Sequence, residues 1–182
     1  SMIRTEKGEV AVEHLQAGDM VMTPDNGARP VIWIGSRVLD AAFLKTHAKF
    51  YPIRIKAGAL GEGYPKTDLF VSPQHRILVR AKAARRMFGA SEVLVAAKQL
   101  LVFDGIDYVT DFDEVEYFHI LFDQHEIVYS NGAETESLYT GPEALKSVTQ
   151  AQRDEILELM PELANMDYTA KAARHLLSGR QG

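Results

Sequence analysis

The stretch EKGEVAVEHLQAGDMVMTPDNGARPVIWIG, residues 6–35, decides how the chain is read. Lys7-Gly8 makes a turn, Val10 and Val12 alternate with polar neighbours, and Gly18-Asp19 makes a second turn before the run Met20 to Thr23. Asn26-Gly27, inside PDNGARP, is the strongest short hairpin signal a sequence offers, because both residues tolerate the positive φ that a tight hairpin needs. Val31 to Ile34 then reads as the returning strand, around the only Trp, Trp33. Turns spaced roughly eight to twelve residues apart predict a mainly β sandwich or barrel rather than a helical protein.

The same texture continues outward. YPIRIKAG (51–58) and EVEYFHILFDQHEIVYSNG (114–132) read as strands, the latter closing on a second Asn-Gly pair, Asn131-Gly132. AKAARRMFGA (81–90) reads as a helix, and SEVLVAAKQL (91–100) as a strand passing into a short helix. The texture changes near residues 137–140. In SVTQAQRDEILELM, Thr149 and Gln152 stand at capping-box spacing, Ile156, Leu157 and Met160 share a face, and Pro161 stops the helix. DYTAKAARHLLSG predicts a second helix over about 167–178, with Gly179 as its cap. The expected organisation is a β module over residues 1–140 and a helical tail over 141–182 packed on it through Ile156, Leu157, Met160, Leu176 and Leu177.

Composition bounds the function. Hydrophobic residues make up 46% and charged residues 25% of the 182, the balance of an ordinary globular protein. A net charge of -5 and the lack of a basic stripe with interleaved aromatics argue against a nucleic-acid partner. No apolar run approaches membrane-spanning length, and the N-terminus lacks an apolar signal core, so no membrane partner is expected. The absence of cysteine excludes disulfides and thiolate metal sites within these residues and leaves the compartment open.

Two clusters carry chemistry. In LFVSPQHRILVR (69–80), Pro73 interrupts a strand-like run and lets Ser72 and His75 face one point. A His near neutral pKa can protonate a leaving amide nitrogen while a hydroxyl orients the peptide; equally, Ser72-Pro73 is a turn start and His75 a half-exposed strand residue. In the second cluster, strict alternation puts Tyr117, His119, Leu121, Asp123 and His125 on one face and Phe118, Ile120 and Phe122 on the core face. His119, Asp123 and His125 could orient one another, move protons or offer three metal ligands; equally, they line the solvated side of an edge strand. No metal and no cofactor is expected, since three such ligands without a second shell are a weak metal site and the glycines of AGALGEGYP (57–65) lack a strand-to-helix context for phosphate. His14, His47 and His175 read as solvent-facing.

These pieces together resemble one family. Val12, Leu15, Gly18, Asp19 and Val21 match the V-x-x-L-x-x-G-D-x-V opening of the Hint domain, the self-processing module of hedgehog C-terminal regions and inteins. Ser72-Pro73-Gln74-His75 resembles its Thr-x-x-His block with Ser in the Thr position, and HEIVYSNGAETES (125–137) resembles its closing strands. The nearest likeness is to a bacterial Hint subfamily with W-I-G, S-P-Q-H-R and H-x-x-F-D-x-H signatures, over residues 2 to about 140. The resemblance implies autoproteolysis: an N-to-S acyl shift at a Cys about six residues ahead of Met2, whose thiol is the nucleophile. His75 would protonate the leaving nitrogen, Ser72 would hold the scissile peptide, and His119, Asp123 and His125 would act as secondary polar groups. The partner is the chain's own upstream flank. Ser1 falls where the family has a small residue, not its nucleophile. Glu136-Ser137 stands where inteins end in His-Asn, and the chain continues to Gly182, so cleavage of the N-terminal junction is expected rather than splicing. A catalytically inert Hint-like scaffold or binding module is the alternative; a hydrolase using His75 as base ranks below both, for want of an activated Ser with a third orienting group.

Overall fold

The computed structural model describes residues 1–80, 92–140, 148–164, 172–174 and 176. The chain is mainly β. It opens with β1 (Met2–Thr5) and β2 (Gly8–Ala11), paired across the Glu6-Lys7 turn in the register Thr5↔Gly8. The Asn26-Gly27 hairpin forms between β3 (Met20–Thr23) and β4 (Gly27–Pro30), with Met20 opposite Pro30. The returning strand is therefore Gly27–Pro30, not Val31–Ile34. The chain leaves this hairpin at Val31 and enters β5 (Trp33–Asp40), which belongs to another sheet.

After helix α1 (Ala41–Thr46), capped by the Asp40 carboxylate on the Phe43 N–H, come β6 (Ile53–Ile55), β7 (Leu69–Val71), β8 (Arg76–Arg80) and β9 (Glu92–Ala96). As expected, β9 passes into a 3-10 turn over Ala97–Leu100. Then follow β10 (Ile106–Tyr108), β11 (Glu114–Leu121), β12 (Ile127–Ser130), β13 (Ala133–Glu136) and helix α2 (Gln150–Leu159). The large sheet runs β4-β3-β1-β12-β13-β8-β9, with β2 on β1; β10-β6-β7 form a second sheet, and β11 with β5 a long ribbon. Within the acidic run DFDEVE (111–116) the ribbon begins at Glu114, with Val115 buried.

Two features of this topology place the site. First, β1 and β12 are neighbours, with Ile3 opposite Ser130, so the start of the chain lies beside the closing hairpin. That hairpin turns on Asn131 and Gly132, both at positive φ (49° and 84°), as a two-residue type I′ turn requires. Second, β7 and β8 lie in different sheets, and Ser72 to His75 make the corner between them. One core packs Ile53, Ile55, Leu69, Ile77, Val93, Val95 and Leu100 beneath that corner; another packs Ile3, Val21, Ile120, Phe122 and Val128 beneath β1 and β12.

The C-terminal segment packs against the β elements. Thr149 caps α2, its hydroxyl accepting from the Gln152 N–H while the Gln152 amide oxygen accepts from the Thr149 N–H. Ile156 and Met160 join Trp33, Leu121, Leu138 and Val148 in a buried cluster, and Leu157 is half-buried. The Trp33 ring lies so close over Gly35 that a Cβ there would meet it at 2.3 Å, and the indole N–H donates to Glu155 at 2.8 Å. The Trp-Ile-Gly stretch is thus the seat of α2. The predicted second tail helix is not borne out where it can be seen: Ala173 and Arg174 lie in a bend, and Leu176 bridges Leu94 in parallel. Leu177 and the segment 81–90 lie outside the described residues.

Candidate functional site

The corner Ser72-Pro73-Gln74-His75 is a β-turn. The His75 N–H donates to the Ser72 carbonyl at 3.1 Å, and Pro73 occupies the second position, where its fixed φ suits the turn. Neighbouring backbone holds the turn: Lys98 N–H donates to the Pro73 carbonyl and Ala97 N–H to the His75 carbonyl. Ser72 and His75 consequently reach the same cavity, of about 720 Å³, which Ser1, Arg76, His119, Asn131, Thr135 and Glu136 also line.

Three strands bring the polar groups of this cavity together. From the end of the turn, just ahead of β8, His75 Nε2 meets the Glu136 carbonyl at 3.1 Å; a carbonyl only accepts, so Nε2 carries the ring proton. From the end of β13, the Glu136 carboxylate takes the Arg76 N–H at 3.1 Å, the Arg76 guanidinium at 3.4 Å and His125 Nε2 at 3.0 Å. From β11, His119 enters the cavity wall. The tip of Met2 is fastened alongside: its N–H donates to the Asn131 side-chain oxygen at 2.7 Å, and the Asn131 N–H returns to the Met2 carbonyl at 2.9 Å.

The electrostatics follow from burial and from the crowding of histidines around one carboxylate. Desolvation lowers the His75 pKa below its ordinary value, and the Glu136 charge only partly opposes this. Burial, aided by the neighbouring His75, lowers His119 to about 4. For Glu136 burial works upward, but the His125 hydrogen bond and the His75 and Arg76 charges outweigh it and leave the carboxyl below its usual range. At neutral pH the Glu136 carboxylate therefore stands beside the Arg76 guanidinium and the uncharged His75 and His119 imidazoles, while Glu13, Asp68 and Glu116 also line the cavity.

Of the five residues singled out from the sequence, four meet here: Ser72, His75 and His119 line the cavity, and His125 lies behind Glu136 with a side chain only 1% exposed. Asp123 does not join them. Strand β11 ends at Leu121, the alternation stops there, and Asp123 points outward at 53% exposure to pair with Arg29 at 2.6 Å. The shared face was also not solvated: Leu121 is 1% exposed against Trp33 and α2.

Glu136 is the residue that sequence reasoning missed. The signal was the hairpin itself, because a two-residue turn at Asn131-Gly132 sets Glu136 opposite Ile127, two residues past His125. Among the described residues no group of three or more His, Asp or Glu side chains could hold a metal ion, and no helix is long and apolar enough to cross a membrane. His14 and His47 are exposed, His47 stacking on Phe43 at 4.1 Å; His175 lies outside the described residues.

A family model for the Hint domain matches residues 1–142. Comparison with curated protein sequences finds no match. Among solved structures, the MchDnaB-1 intein is 10% identical with a TM-score of 0.46, over 74% of this chain and 94% of that one. The bacterial intein-like domain from Clostridium thermocellum is 17% identical with a TM-score of 0.46, over 75% and 94%. The gp41-1 intein is 13% identical with a TM-score of 0.43, over 74% and 91%.

Proposed function

Because this chain belongs to the Hint domain family, we propose that it is a self-processing module acting once on a polypeptide joined to its N-terminus. The observation that carries this reading is that Ser1, Ser72 and His75 line one cavity. Strand β1 delivers the chain to that cavity, and each extended residue preceding Ser1 would span up to ~3.5 Å, so a nucleophile a few residues upstream reaches any part of it.

In the proposed reaction a Cys thiol upstream of Ser1 attacks the carbonyl carbon of the peptide bond before it. The C–S bond forms, the C–N bond breaks, and the released nitrogen takes up a proton, leaving a thioester. His75 is suited to move that proton. Its Nε2–H is committed to the Glu136 carbonyl, while Nδ1 has no hydrogen-bond partner among the described residues. A neutral ring with a bare Nδ1 first accepts the thiol proton, then returns it to the departing nitrogen. The role read from sequence, a proton donor from the outset, is thus refined to base first and acid second. Ser72 supplies a hydroxyl beside the scissile peptide, and His119 an uncharged wall that does not repel a protonated His75. Water or a small thiol then resolves the thioester.

The competing reading is an inert Hint-like scaffold, favoured by the absence of cysteine from these residues. The two separate on a chain extended upstream by a natural flank that includes the Cys. Cleavage at the Cys peptide bond, accelerated by dithiothreitol and followed on a gel, supports processing. An extended protein that folds and stays whole for days establishes the scaffold.

A further inference from the structure

The C-terminal segment past α2 returns to the back of the site, and what it does there rests on the processing reading but can be tested apart from it. The Ala173 N–H donates to His125 Nδ1 at 3.0 Å. Arg174 grips Asp25 with both terminal nitrogens, at 2.7 and 2.8 Å, and Glu92 with Nε at 2.7 Å. Ala173 and Leu176 pack on Leu78, Leu94 and Ile127. We propose that Ala173, Arg174 and Leu176 form a positioning strap, in which the Ala173 N–H fixes the ring orientation and tautomer of His125 and Arg174 holds Ala173 in place, so that Glu136 is set for His75.

The argument is one of donors and acceptors. A backbone N–H can only donate, so the Nδ1 that receives it must be bare, and the proton of the neutral ring lies on Nε2. That Nε2–H points at the Glu136 carboxylate. A carboxylate accepts from either ring nitrogen, so Glu136 alone would leave His125 two orientations. The strap leaves one. With the strap in place the His125 side chain is nearly sealed from water, and Tyr139 packs 5.0 Å from its ring centre. The chain of contacts then runs from Ala173 to His125, to the Glu136 carboxylate, and through the Glu136 backbone carbonyl to His75. The anchor is strong for its size, since a guanidinium held bidentately by one carboxylate and singly by another keeps its geometry.

The test uses the full chain labelled with nitrogen-15 in histidine, read by two-bond imidazole correlation spectra, with the His125 signal assigned by its loss in His125→Gln. The wild type should show a protonated Nε2 and a bare Nδ1. Arg174→Ala, and Ala173→Pro, which lacks the N–H, should both show mixed tautomers while thermal unfolding reports a folded protein. Arg174→Lys, which keeps a cation opposite Asp25 and Glu92 but loses the bidentate fork, should restore the wild-type pattern only in part. If Ala173→Pro does not fold, the two Arg174 variants carry the test. A His125 tautomer unmoved in folded Arg174→Ala overturns the strap, as does a wild type with the proton on Nδ1. On the flank-extended, Cys-bearing chain, Arg174→Ala should slow cleavage by roughly 10²-fold, the scale of a small misplacement of reacting groups, and Arg174→Lys should recover part of it. Full-rate cleavage in Arg174→Ala with a disordered tautomer overturns the positioning role. An extended wild type that never cleaves overturns the processing reading, and the spectra still decide the strap.

Discussion

His75 Nε2 lies 3.1 Å from the backbone carbonyl of Glu136, so the histidine of the turn is held by the last residue of the closing hairpin rather than by its own strand. The contact crosses 61 residues of sequence and leaves Nδ1 as the nitrogen available to a substrate peptide. In the flank-extended, Cys-bearing chain, His75→Ala should reduce the cleavage rate by roughly 10² to 10⁴, the usual effect of losing a general acid–base group. Ser72→Ala should cost less, because the hydroxyl only positions the peptide. Densitometry of cleavage time courses measures both; a His75→Ala protein cleaving at the wild-type rate removes His75 from the reaction.

Acid should loosen the fold in two stages. His119 and His75 both have lowered pKa values in the folded state, so on acidification the unfolded chain takes up protons first and is favoured. Stability is therefore full above the ordinary histidine value of 6.5 and falls as pH drops from there toward about 4, the folded value for His119. For His119 alone the loss is on the order of 3 kcal/mol if it is fully expressed. Glu136, whose folded pKa is also lowered, adds a further loss as pH falls below its unfolded value of 4.5. Urea midpoints across pH should show this decline, and His119→Gln should flatten the first stage. A wild type equally stable at pH 6.5 and 4.5 contradicts the first stage.

Removing the cap of α2 should be measurable without touching the site. Thr149→Ala leaves the Gln152 N–H without its acceptor and dismantles the capping box, which should lower stability by about 1 kcal/mol. Thermal unfolding checks this. Thr149→Ser, which keeps the hydroxyl, should recover most of the loss.

Gly35→Ala is expected to be the more damaging of the two changes around α2. The new Cβ would overlap the Trp33 ring, which cannot withdraw without breaking its bond to Glu155 and disturbing Ile156. Overpacking of this kind costs about 1–3 kcal/mol. A red-shifted tryptophan emission together with a lower melting temperature would show the ring displaced toward water; an unchanged spectrum would mean the ribbon yields instead.

What could be read from the sequence followed the locality of the cause. The Asn26-Gly27 and Asn131-Gly132 hairpins, the Ser72-Pro73 turn and the Thr149–Gln152 box all depend on residues within a few positions of one another; all formed, the first with Gly27 already paired to Thr23 in the returning strand. Asp123 was misplaced because the alternation rule holds only while a strand lasts, and nothing near Leu121 announces that β11 ends there. Val31–Ile34 is not the partner of Met20–Thr23, because the hairpin closes sooner, at Gly27. The tail around Ala173 has helical composition, yet its described residues follow Asp25, Glu92 and Leu94, partners too distant in sequence for local propensity to register. Glu136 stands beside a legible hairpin, but its meaning lies in two histidines, His75 and His125, that precede other strands.

The Met2–Asn131 pairing also sets a clock on synthesis. Its members are 129 residues apart, so β1, made first, has no place beside β12 until the closing hairpin has left the ribosome. Contacts of such separation form late, since a long loop must close before they contribute. Under the proposed self-processing, a polypeptide emerging ahead of Ser1 would be finished, and could fold, well before the machinery behind it comes together. The order of the chain would then give such a flank a head start over its own release, with no separate inhibitor needed to delay it.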